Sequence, residues 1–121
     1  MPCPSSHLKP NNAERRIRRM YARFNRLYFA NQLPRRVAIV IRRYRLAMAI
    51  TEFCAPGEQP TIGIHAELLA RGWENVLAMT LLHEMVHIDI MIKHGARENH
   101  GRKFQKRMLD LARAGAFSPY W

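Results

Sequence analysis

The stretch His83-Glu84-Met85-Val86-His87 has the residue types and spacing for metal-assisted hydrolysis. On a helix, positions four apart project from one face, so the two imidazoles can share a single cation. An acid directly after the first histidine is placed to act as a general base on water rather than as a ligand. Zinc suits two imidazoles and leaves positions for a third ligand and a water molecule. The motif sits in an apolar run, with Thr80-Leu81-Leu82 before it. Burying two histidines and a glutamate there without partners would be costly, so the polar residues need a reason to be present.

The third ligand has to come from His94, His100, His65, His7 or an acid. If the helix persists, His94 lies nearly on the same face but about 10 Å further along the axis, too far to share the ion. His100 follows Gly95 and the polar run Ala96-Arg97-Glu98-Asn99. A turn there lets the chain double back, and this favours His100. Glu98 and Asp110 are weaker acid candidates. The metzincin pattern is absent, since Ile90 and Lys93 occupy the places of its Gly and His.

Holding these groups requires a helix through the motif and elements packed around it. A long helix is expected from about Trp73 to His94, apolar on nearly every face and capped by Gly95. Its segment Val76–Ile92 is under membrane-span length and carries His83, Glu84, His87 and Asp89, so it reads as a buried central helix and no membrane is expected as partner. A first helix is expected over about Asn12–Ala30, with Asn11 as N-cap and Glu14 as its reciprocal partner. Ile17, Met20, Tyr21, Phe24, Leu27 and Tyr28 form its core face, an arc of about 120°. Val37–Ile41 and Leu46–Phe53 are strand candidates, with a basic hairpin between them at Arg42-Arg43-Tyr44, and Thr61–Ile64 is a third. A helical turn near Glu67–Ala70 and a last helix over about Gly101–Ala114, stopping at Gly115, complete the chain. Residues 1–10, with three prolines, read as a flexible arm, and residues 11–121 as a single domain.

The chain has 121 residues, 48% of them hydrophobic, and a formal net charge of +11. Residues 1–45 hold twelve Lys/Arg against the single acid Glu14, whereas residues 46–121 hold eight of each sign. Arg15, Arg16, Arg19, Arg23 and Arg26 share an arc of about 100° opposite the core face of the first helix. No acid is interleaved to relieve their mutual repulsion, and nucleic-acid phosphate, bound without sequence preference, is the expected partner. Cys3 and Cys54 belong to no metal or redox motif, and no apolar run follows Met1, so a cytoplasmic location, with association to the nucleoid, is expected.

The segments Leu81-Leu82-His83-Glu84-Met85-Val86-His87 and Arg97-Glu98-Asn99-His100-Gly101-Arg102-Lys103-Phe104 resemble the SprT-like family of metalloproteases, which includes the Spartan-like enzymes. Tyr21, Phe24-Asn25, Tyr28-Phe29 and Leu33-Pro34 resemble the family's opening helix and first turn, and Ile62-Gly63-Ile64 with Leu68-Leu69 the strand and short helix before the catalytic helix. The resemblance covers roughly residues 14–115. It implies an α+β, zincin-like domain: an N-terminal helix, a three-stranded sheet, a central HExxH helix and a following C-terminal helix. It also implies one zinc ion on His83, His87 and His100, Glu84 as the base, and protein substrates on DNA, including proteins covalently trapped there. Family members often carry a C-terminal cysteine-ligated zinc ribbon or DNA-binding module. The 121 residues contain no such cysteines, so recruitment through that module is not carried over.

Two other readings fit the same residues: a catalytically silent, zinc-stabilised nucleic-acid-binding protein, and a zinc hydrolase of a non-peptide substrate. The presence of Glu84 weighs against the first, because a structural site has no use for a base.

Overall fold

Two asparagines explain where the first helix of this chain begins and stops. In the computed structural model, which describes residues 11–53, 59–95 and 100–120, helix α1 spans Asn12–Tyr28. Cys3, His7, Cys54, Glu98 and the arm expected over residues 1–10 lie outside the described residues. Asn11 caps α1 by accepting a 2.8 Å hydrogen bond from the Glu14 amide. The helix ends two residues before the expected Ala30, because Ala30 and Asn31 take positive φ of 52° and 58°. Asn25 holds that turn: its buried side chain donates to the Leu33 carbonyl and accepts from the Leu33 amide, both at 3.1 Å. One amide thus satisfies both backbone groups of a residue that has left the helix, where an unpaired buried group would be costly.

Three strands follow: β1 (Ala38–Arg42), β2 (Ala49–Glu52) and β3 (Thr61–His65). The expected hairpin between the first two does not form. The order is β1-β3-β2, with β3 parallel to β1 and antiparallel to β2. Two physical reasons account for the correction. Every residue of β3 is buried, as a central strand requires, whereas β1 and β2 are only partly so. The chain after β1 also folds over β3: Tyr44 lies against Gly63, where a Cβ would collide with its hydroxyl, and its carbonyl is 3.0 Å from His65 Nε2. The segment expected to extend β2 back to Leu46 does not, and Leu46 is fully exposed.

A 3-10 turn, Ala66–Leu69, leads to α2 (Glu74–His94), and α3 (Arg102–Arg113) follows. Gly95, at φ 65°, closes α2 with its amide 2.8 Å from the Met91 carbonyl, as the sequence leads one to expect. Among the described residues α2 is the one helix long and apolar enough to cross a membrane, but more than half of its most apolar stretch is buried within the domain. Leu77, Leu81, Leu82, Met85, Val86 and Ile88 of α2 pack in one core with Ile17 and Phe24 of α1, Ile62 and Ile64 of β3, and Phe104 and Leu111 of α3. Each such burial contributes about 1.5–3 kcal/mol, and together they hold α2 between the sheet and the other helices. The architecture is α+β, with three α-helices and a mixed three-stranded sheet among the described residues.

Candidate metal centre

One helical turn separates His83 from His87, and their ring centroids stand 5.1 Å apart. His100 precedes the N-terminus of α3, and its ring lies 5.0 Å from His83 and 5.1 Å from His87. The ligand nitrogens of all three fall within 4.8 Å of one another, and His83 Nε2 is 3.0 Å from His100 Nε2. Nitrogens held at 2.0–2.1 Å on a tetrahedral zinc would stand roughly 3.3 Å apart, so this pair is close to the spacing that one shared ion requires. Three converging imidazoles with an open side are the donor set of a zinc site that keeps a position for water, and the residues therefore fit zinc.

The ring of Phe104, buried on the first turn of α3, floors the cluster. It stacks on His87 at 4.5 Å with 29° between planes, and meets His83 and His100 at 4.9 Å. Gln105 donates a 2.8 Å hydrogen bond to the His100 carbonyl and so fixes the backbone that presents the third imidazole. The other histidines among the described residues stay apart. His65 is buried, with Nδ1 accepting from the Glu67 amide at 3.0 Å and Nε2 facing the Tyr44 carbonyl, a structural role at the start of the 3-10 turn. His94 is exposed at the end of α2, and neither it nor Asp110 joins the cluster.

Glu84 is 5% exposed. Its Oε2 stands 3.8 Å from His83 Nε2, and its Oε1 accepts a 2.8 Å hydrogen bond from the Thr51 hydroxyl on β2. Burial raises the pKa of the carboxyl, and the Thr51 hydrogen bond opposes the rise. Burial thus favours the protonated form of an acid that the Thr51 hydroxyl holds in one orientation. Burial, then repulsion by His100, lowers the His83 pKa; burial, then His83 and His100, brings His87 from 6.5 to about 4. Neutral imidazoles are the form that binds metal.

The sign of these shifts gives a prediction for protein stripped of metal. Above about 6.5 His87 is neutral whether the chain is folded or unfolded; between about 6.5 and about 4 only the unfolded chain takes up the proton. Stability therefore falls as pH drops through that window and levels off below it, with Glu84 offsetting part of the slope at its acid end. The urea midpoint of chelated protein, measured across this range, should decline toward acid. A midpoint that rises would contradict the assignment.

Beside the cluster opens a groove of about 780 Å³, bounded by β2, α2 and α3, with Thr80, His83 and Glu84 at its polar end. Tyr44, His65 and His94 do not line it. On α1, Arg15, Arg19, Arg23 and Arg26 are exposed. Arg16 is half-buried and, after the backbone amides of Glu74 and Gly72, helps to lower the pKa of the exposed Glu74 carboxyl. An acid from the start of α2 thus approaches an arc that showed none in its own sequence neighbourhood.

Sequence reasoning did not assign the roles of Thr51 and Gln105. Phe104 was legible as a core residue, but only the resemblance, with its His-Gly-x-x-Phe segment, tied it to the histidines. No curated protein matches this chain. The family model described as the SprT-like family matches residues 17–119, a span that contains most of α1, the sheet, both motif histidines and His100, and the chain belongs to the SprT-like family.

Proposed function

We propose that this chain is a zinc-dependent metalloprotease that hydrolyses peptide bonds in proteins associated with or covalently crosslinked to DNA. The observation that carries the reading is the oriented carboxylate of Glu84 beside three converging imidazoles at the wall of an open groove. A site that only stabilised the fold would gain nothing from a buried acid held toward the metal position. When bound to His83, His87 and His100, zinc supplies Lewis acidity toward the scissile carbonyl and lowers the pKa of water.

The chain's own residues do the rest. Glu84 accepts the proton of the attacking water at a carboxylate oxygen and delivers it to the leaving amine nitrogen. Thr51 fixes the rotamer that makes this transfer possible. β2, which among the described residues pairs only with β3, offers its other edge beside Glu84 to substrate backbone by strand addition.

The exposed arginines of α1 support contact with nucleic acid through phosphates, without sequence preference. Such recruitment fits a cytoplasmic protein working at the nucleoid. If Arg15, Arg19, Arg23 and Arg26 each neutralise one phosphate, log K for duplex DNA falls against log salt with a slope of roughly −3.5. Changing Arg15, Arg19 and Arg23 to Glu should abolish most of that slope and slow cleavage of DNA-bound protein while sparing free unfolded protein. A flat salt response in the unaltered chain would remove the nucleic-acid part of the proposal. Zinc-loaded protein given free and DNA-crosslinked substrates, with Glu84→Gln as control, tests the whole. Equal cleavage by both forms, or by neither, counts against it.

A further inference from the structure

The groove beside the metal centre differs from the rest of this basic chain. Twenty Lys and Arg residues are spread over 121 positions, yet none of those among the described residues lines it. Beyond its polar end the lining is apolar, and three methionines reach it from three places: Met48 just before β2, Met79 on α2 and Met108 on α3. Its rim is exposed, with Met48 and Val76 at 37% and Leu109 at 48%. Large apolar side chains left in water around a concave surface mark a binding site.

We infer that this groove is a specificity site for bulky apolar side chains of the polypeptide next to the scissile bond, an inference that rests on the protease reading. Continuity with His83 and Glu84 decides the occupant, since whatever fills the groove lies against the reacting groups. The volume of about 780 Å³ is several times that of one side chain, so more than one residue of an extended segment is accommodated. Methionine is unbranched and adaptable, and a wall built from three of them accepts Leu, Met and Phe alike while excluding charge. Segments rich in such residues are buried in folded proteins. The groove therefore directs cleavage to unfolded stretches and spares the surfaces of native proteins.

The test uses a set of peptides that differ only at the residues flanking the cleaved bond, given to the zinc-loaded full chain. Peptides with Leu, Met or Phe should be cleaved with kcat/KM values within about threefold of one another and at least about tenfold above those with Asp or Lys. Val76→Glu and Leu109→Glu, both at the exposed rim, should lower the apolar-to-Lys ratio by about tenfold with the urea midpoint little changed. Binding of the same peptides to zinc-loaded Glu84→Gln protein, followed by fluorescence anisotropy, reads the groove without turnover. Apolar preference in binding with no Glu84-dependent cleavage would sustain the groove and sink the protease reading. Glu84-dependent cleavage with equal kcat/KM for Leu and Asp peptides would sink the groove alone. Equal binding of Leu and Asp peptides, or a ratio unmoved by both rim variants, would likewise overturn it.

Discussion

Glu84→Gln should leave the fold and zinc binding in place and lower kcat on an unfolded protein substrate by about 10²–10⁴. The amide is nearly isosteric with the carboxylate, and its oxygen can still accept from Thr51, so packing around this 5%-exposed side chain is preserved. What is lost is the capacity to take a proton. Because that transfer occurs in the transition state, the loss should fall on kcat, with KM little changed. Turnover by the variant within a few-fold of the parent would mean that another group serves as base. Loss of zinc along with activity would mean instead that Glu84 acts on the site's structure.

The second large effect is on stability. Asp89→Ala should cost about 3–5 kcal/mol, read as a shift of the urea transition. Asp89 is 1% exposed on α2 and accepts from Arg107 Nε at 2.8 Å, with Lys93 Nζ at 3.2 Å. Arg107 also donates to the Tyr28 carbonyl at 2.7 Å and lies 4.9 Å over the Phe29 ring. One carboxylate and one guanidinium thus join α1, α2 and α3. Removing the acid leaves Arg107 partly buried beside a vacancy, and that uncompensated charge is the source of the large cost. Lys93→Ala, at an exposed cation of the same cluster, should cost no more than about 1 kcal/mol. Arg107 is on the helix that carries Phe104 beneath the imidazoles, so Asp89→Ala should also weaken zinc binding. A shift no larger than that of Lys93→Ala would show the pair to be energetically a surface contact.

These two residues illustrate what the sequence made legible. The role proposed for Glu84 follows from local spacing, because adjacency to His83 on a helix suffices to aim both at one point. The α1, α2 and α3 segments were legible for the same reason, since periodicity, Asn11, Gly95 and Gly115 are local signals. His100 was legible as the favoured third ligand, because a turn after Gly95 lets the chain double back, and the resemblance implied the same residue. Asp89 was visible as an acid in an apolar run, four residues before Lys93, but its closer partner Arg107 lies eighteen residues away and could not be read from spacing. Sheet order failed for a similar reason. Arg42 and Tyr44 between two β-branched runs suggested a hairpin, whereas the decisive facts are the full burial of β3 and the room at Gly63 for Tyr44. Thr51 and the groove wall are likewise tertiary, assembled from β2, α2 and α3.

The central claim is that one zinc ion on His83, His87 and His100 makes this chain a protease. A stoichiometric zinc titration of chelated protein, followed by hydrolysis of an unfolded protein substrate, tests it most directly. Activity should be absent without zinc, rise linearly with added metal, and break at one equivalent per chain. Full activity in the chelated protein, or none at any zinc level, would contradict it.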